Sequence, residues 1–125
     1  MSDPTAEFFG TLGDRQHERL LEKAVGTIRF DLADDHETEH WFLEITHGDL
    51  SVSRDTREAD LIVRADHSVF NKLVTGETSW IAAWLRYQLV FEGSSRLARF
   101  FELMLPGPPG ARHPRRDREN AAGQR

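Results

Sequence analysis

The sequence contains no cysteine. That absence excludes disulfides, thiolate metal sites and cysteine nucleophiles. It agrees with a reducing compartment, and a cytoplasmic location is the expectation. Long apolar runs are missing too: none approaches the roughly 18 residues that a membrane-spanning helix requires. Residues Met1 to Glu7 are polar and acidic. They lack the basic start and apolar stretch of a secretory signal, so none is expected. Residues Ala122 to Arg125 do not match a peroxisomal address. Lysine is scarce, 2 against 14 arginines, which reads as coding bias and carries no functional weight.

Positive charge is short over most of the chain. Residues 1–105 hold 19 acids against 11 Lys and Arg, whereas residues 106–125 hold five Arg against two acids. An acidic body cannot neutralise a phosphate backbone, so no nucleic-acid partner is expected for it. The run Pro106-Gly-Pro-Pro-Gly110 stops any helix. One folded domain over residues 1–105 and a disordered basic tail over 106–125 are therefore expected. For the tail, a solvated segment is the simplest reading, and transient contact with an anionic membrane or RNA is the alternative. A chain of 125 residues can bury roughly two-thirds of its unfolded surface, enough for a core without staples.

What is present is a change of period along the chain. Phe8, Phe9 and Leu12 stand at helical spacing over 6–12, weakened by Gly10 and Gly13. Leu20, Leu21 and Ala24 suggest a second amphipathic helix over 14–24, with Asp14 as N-cap and Gly26 as its stop. Period two then follows: Ile28, Phe30 and Leu32; Trp41, Leu43 and Ile45; Leu50 and Val52; Leu61, Val63 and Ala65. These four short strands with polar turns predict an antiparallel meander. Helical spacing returns with Val69, Phe70, Leu73 and Val74, ending at Gly76, and again with Trp80, Ile81, Ala83, Trp84 and Leu85 after Thr78 or Ser79. Residues 88–92 form a fifth strand. Leu97, Phe100, Phe101, Met104 and Leu105 make the apolar face of a last helix. The fold class is α+β, a five-stranded mostly antiparallel sheet with helices packed on one face.

Trp80 and Trp84, four apart on a helix, join Phe70, Leu73, Phe100, Phe101 and Met104 in an aromatic-rich set. Stripes of this kind bury most often simply to complete a core. Large apolar side chains with few polar anchors also make lipid pockets. The turn Asp34 to His40 holds His36 and His40 among carboxylates, but a hairpin turn lacks the rigid second shell of a metal site, so a solvated turn is expected. His47 reads as a turn residue, His67 as a capping residue and Asp60 as a tie for loop backbone. No nucleophile elbow, phosphate loop or dinucleotide fingerprint occurs. No catalytic residue, metal or cofactor is expected.

Five blocks carry a family resemblance: Gly26-Thr-Ile-Arg-Phe-Asp31, His40-Trp-Phe-Leu-Glu-Ile-Thr-His-Gly48, Ala59-Asp-Leu-Ile-Val63, Phe70-Asn-Lys-Leu-Val-Thr-Gly76 and Leu89-Val-Phe-Glu-Gly93. In this order, over about residues 6 to 105, the chain resembles the sterol carrier protein (sterol-transfer) domain family. The resemblance implies a five-stranded sheet covered by helices, with a hydrophobic tunnel between them. The implied function is non-enzymatic binding or transfer of a fatty acyl chain, a sterol-like molecule or another lipid. An accessory or interaction domain with a collapsed cavity, serving a homodimer or an enzyme partner, is the alternative. The expected cavity set is Phe30, Leu43, Ile45, Phe70, Leu73, Val74, Trp80, Ile81, Trp84, Leu85, Leu97, Phe100, Phe101 and Met104. Arg86, Tyr87, Arg96 and Arg99 are the expected rim. Arg86-Tyr87-Gln88 stands where the family usually has a small residue, so Tyr87 is expected to narrow or reshape the mouth.

Overall fold

A computed structural model describes residues 3–106. The tail expectation for 106–125 lies, apart from Pro106, outside the described residues. Ten elements alternate in the order helix, strands, two helices, strand, helix.

Helix α1 spans Pro4–Arg15. Proline at its start is pre-set in φ and has no N–H to lose. Thr5, Phe9 and Leu12 recur on one face and are buried. The expected pair of helices is corrected here. One helix runs through Gly10 and Gly13, with Asp14 inside it, and ends at Gln16 in the left-handed region, φ 64°. Burying Phe9 and Leu12 outweighs the roughly 1 kcal/mol that each glycine costs in a helix. Residues 17–24 are not a helix because the turn at Gly48 claims their backbone. Glu18 N–H donates to the Gly48 carbonyl at 2.8 Å, and Leu50 N–H and His47 N–H donate to the Gln16 and Ala24 carbonyls at 2.8 Å. Only one 3-10 turn survives there, Arg19–Leu21.

The strands are β1 (Val25–Ala33), β2 (Thr38–Thr46), β3 (Asp49–Ser53), β4 (Leu61–Asp66) and β5 (Leu89–Gly93). Their order in the sheet is β3-β2-β1-β4-β5. The expected four-strand meander is corrected at β4. That strand does not pair with β3 but crosses to the far side of β1 and runs parallel to it. The remaining neighbours, β1–β2, β2–β3 and β4–β5, are antiparallel. Alternation fixes which face a strand buries, not which neighbour it takes. The crossing segment is held on the outer face of the sheet. Arg29 donates to the Thr56 and Arg57 carbonyls at 3.2 and 3.3 Å. The Arg57 guanidinium lies 4.4 Å over the Phe42 ring. Phe42 is thereby buried although it points away from the helices.

Gly26 sits within β1 and is no helix stop. A side chain there would meet Leu97 Cδ1 at 2.6 Å, so the missing Cβ lets the last helix approach the sheet.

Helices α2 (His67–Thr75), α3 (Trp80–Leu85) and α4 (Ser95–Glu102) complete the layer. α2 ends as expected at Gly76, φ 83°, where a Cβ would be strained. Ser79 Oγ accepts from Ala82 N–H and Ser94 Oγ from Leu97 N–H, each at 3.1 Å, capping α3 and α4. Between sheet and helices lies an aromatic core. Phe30 stands 5.0 Å from Phe9 and 4.9 Å from Phe101, and Phe9 lies 5.8 Å from Phe70. Such edge-on and offset pairs add to the stabilisation from burial alone.

Candidate functional site: an apolar groove between α3, α4 and β5

The inward alternation of β5 directs Phe91 toward the helices, and the two capped helices fix the walls on either side. Trp80 and Trp84, one turn apart on α3, lie 5.8 and 6.3 Å from Phe91. Together with Ile81 and the α4 residues Ser95, Arg96, Ala98, Arg99, Phe100 and Glu102, followed by Leu103, they line a groove of about 690 Å³. That volume lies within the roughly 300–1,000 Å³ typical of small-molecule sites. Most of the wall is hydrocarbon. Polar groups are confined to Ser95, the two arginines and Glu102. The guanidinium of the exposed Arg96 lies 5.5 Å over the Phe100 ring, a cation–π contact at the groove wall. The geometry suits an elongated apolar molecule with a polar end.

The residues singled out from sequence fall into three places. Trp80, Ile81, Trp84, Phe100, Arg96 and Arg99 line the groove. Phe30, Leu43, Ile45, Phe70, Leu73, Leu97 and Phe101 are buried in the packed core, with Val74 and Met104 half-buried against it. Leu85, Arg86 and Tyr87 are exposed. The hollow therefore opens beside the core rather than between the sheet and all the helices, because Phe9, Phe30, Phe70 and Phe101 fill that space. Tyr87, 89 % exposed, does not stand at this groove. It borders a separate, more polar hollow with Asp31 and Arg64. Its backbone lies at φ 58°, in the left-handed region where residues other than glycine are uncommon.

Sequence reasoning did not single out Phe91, Ser95, Ala98, Glu102 and Leu103 as site residues. The alternation of β5 was the available signal for Phe91. Ala98 is not part of the apolar face that spacing predicts for the last helix. Leu103 follows the last turn of α4, and no spacing rule places it on the groove wall.

Several titratable groups away from the groove make ion pairs. On the outer sheet face Asp31 accepts from Arg29 Nε and Nη2, each at 3.1 Å, and lies 2.8 Å from His40 Nδ1. Its burial works to raise its pKa. The Arg29 and His40 contacts outweigh that and hold the carboxyl below the usual range. His40 is thus engaged by Asp31 rather than by His36. The capping role expected of His67 is corrected: its Nε2 faces the Asp3 carboxylate at 3.0 Å and its Nδ1 faces Glu39 at 3.5 Å, because residue 67 begins α2 directly beside the start of α1. Asp3, Glu39 and His67 also form a three-residue group of metal-ligand type among the described residues. Asp60 does tie backbone, accepting from Thr27 N–H at 3.0 Å, but that backbone belongs to strand β1 rather than to a loop.

No described helix is long and apolar enough to cross a membrane. A comparison with curated proteins found no match. Solved structures share the fold at low identity. The sterol carrier protein domain 2 of Helicoverpa armigera is 17% identical, with a TM-score of 0.68 over 81% of this chain and 85% of that one. Sterol Carrier Protein-2 from Aedes aegypti, in complex with palmitate, is 16% identical, with a TM-score of 0.61 over 85% of this chain and 100% of that one. A double mutant of the sec-alkyl sulfatase PisA1 is 18% identical, with a TM-score of 0.62 over 86% of this chain but only 17% of that one. The model of the SCP-2 sterol transfer family matches residues 9–105. That match covers every strand and the whole groove, and the chain belongs to the SCP-2 sterol transfer family.

Proposed function

We propose that this chain is a non-enzymatic carrier of a hydrophobic ligand, a fatty acyl chain, a sterol-like molecule or another lipid, held in the groove between α3, α4 and β5. The observation that carries the reading is the groove itself, about 690 Å³ and walled mainly by Trp80, Trp84, Phe91 and Phe100. Binding is driven by desolvation, at about 25 cal/mol per Å² of apolar surface buried. About ten buried methylenes, at about 0.8 kcal/mol each, gain several kcal/mol after ordering costs. Arg96 and Arg99 stand where a polar head group emerges. Family membership and the palmitate complex of the Aedes aegypti relative support the same class of ligand. The mechanism is passive: no bond is made or broken, and exchange follows from the groove's opening to solvent. The test is displacement of a fluorescent acyl probe, together with native mass spectrometry of protein taken from cells. Saturable one-to-one binding and a co-purifying lipid are expected; no probe binding and no lipid would end the reading.

A second reading has one observation in its favour. The fold recurs as a small part of the sulfatase chain, which suits an accessory domain that grips a homodimer partner or an enzyme. Native mass spectrometry separates the two, because this reading expects a second protein mass and no lipid.

A further inference from the structure

Three segments far apart in sequence bring one donor residue each to a single point. Asp3 stands at the N-cap of α1, Glu39 on β2 and His67 at the first residue of α2. One donor atom of each lies within 4.8 Å of the other two, and all three residues are half-buried. None of them lines the groove.

Two features set this group apart from ordinary surface ion pairs. An aspartate at an N-cap normally accepts from a helix N–H. The Asp3 carboxylate makes no such bond and turns instead to His67 Nε2, with its two oxygens at 3.0 and 3.1 Å. Glu39 Oε1 is buried and has no hydrogen-bond partner among the described residues, while Oε2 accepts from Arg54 Nη2 at 3.3 Å. A buried carboxylate oxygen without a donor is costly, and a bound cation removes that cost. The same oxygen lies 3.5 Å from His67 Nδ1.

Rigid parts of the fold hold the donors. Thr5, two residues after Asp3, is fully buried and ties α1 to α2. Its N–H and its hydroxyl donate to Asn71 Oδ1 at 3.2 and 2.6 Å. Glu39 is paired with Leu32 inside the sheet. Glu39 and His67 also wall a polar hollow of about 240 Å³, together with Asp34, Glu37, His40 and Arg54, which gives an ion access and room for water.

We propose that Asp3, Glu39 and His67 bind one borderline transition-metal ion such as zinc, which fastens the start of α1 to β2 and α2. One imidazole with two carboxylates suits zinc, which takes nitrogen and oxygen ligands in a four-coordinate sphere. Bonds of about 2.0–2.2 Å space such ligands about 3.3 Å apart, so each donor moves inward by about 1 Å. Water from the hollow completes the sphere. Calcium and magnesium fit less well, since they are held by oxygen ligands in larger number. Arg54, on the second oxygen of Glu39, is the kind of outer contact that orients a metal-binding carboxylate.

The test is calorimetric titration of the full chain, first freed of metal by chelator, with zinc chloride, alongside thermal melts. One zinc per chain, in the micromolar range or tighter, is expected, with a higher thermal midpoint when zinc is present. Asp3→Asn and His67→Gln are each expected to weaken zinc binding at least about tenfold and to abolish the rise in midpoint. Asp3 precedes α1, so its variant keeps the test open if His67→Gln does not fold. His17→Gln, which alters the exposed histidine beside Asp49, is expected to bind like the parent. Absence of zinc binding, or binding left unchanged by Asp3→Asn, overturns the inference and leaves the three residues an ion-pair network alone. Loss of binding in His17→Gln with full binding in His67→Gln places the ion beside Asp49 and overturns it as well. So does equal affinity for magnesium.

Discussion

Thr27 and Asp60 clamp each other across the parallel pairing of β1 and β4. Thr27 N–H donates to Asp60 Oδ2 at 3.0 Å, and Asp60 N–H donates back to Thr27 Oγ1 at 3.0 Å. The clamp lies where the chain returns from the edge strand β3 to the middle of the sheet. Removing the carboxylate leaves the Thr27 donors to water. Asp60→Ala is expected to cost about 1–3 kcal/mol, read as a lower urea midpoint with an unchanged slope. An unaltered midpoint shows that the clamp contributes nothing to holding the crossover.

The groove and the core predict opposite responses to truncation. Phe70 is fully buried among aromatic rings, so Phe70→Ala is expected to cost about 3–5 kcal/mol of stability. Trp84 is half exposed on the groove wall. Trp84→Ala is expected to change stability by well under about 2 kcal/mol and to weaken acyl-probe binding about tenfold. Thermal melts and probe titrations of both variants check this; unchanged probe affinity in Trp84→Ala places the ligand elsewhere.

Asp31 predicts an acid limb of stability. Its folded pKa is below the unfolded value of about 3.9, because Arg29 and His40 outweigh the effect of burial. The folded state therefore holds the proton less tightly than the unfolded one. The contribution is complete above the unfolded pKa and is lost as pH falls through the folded one. The stability difference between the parent and Asp31→Asn should be largest near neutrality and shrink below about pH 4. A difference that stays constant down to pH 2 contradicts the ion-pair account.

Ser94 anchors the wall that carries Arg96, Ala98 and Phe100. Its hydroxyl oxygen accepts from Leu97 N–H, so Ser94→Ala is expected to cost about 1 kcal/mol through the lost cap. Hydrogen exchange should show the first turn of α4 opening more often, with β1 and β2 unaffected. Uniform loosening across the sheet would instead mean that α4 and the sheet open as one unit.

Several elements were legible because each follows from neighbours in sequence. The alternation of Ile28, Phe30 and Leu32 fixed a half-buried strand, and Gly76 marked the end of α2. The basis is local: side-chain period decides which face is buried, and backbone freedom decides where a helix stops. The segment 14–24 was misread because Leu20, Leu21 and Ala24 have helical spacing, while the groups that oppose a helix, Gly48 and Asp49, lie some 30 residues away in the chain.

Sequence alone determined the type of every strand and of the helices after β4, the acidic body, the α+β class and the resemblance to the sterol carrier family. Tertiary structure decided that β4 joins β1, that Phe70 and Phe101 complete a core while Trp84 and Phe100 wall a groove, and that Tyr87 faces elsewhere. The reason is that an apolar residue at helical spacing carries the same local signal whether it meets another side chain or an open space. Only the packing of α3 and α4 against β5 distinguishes the two.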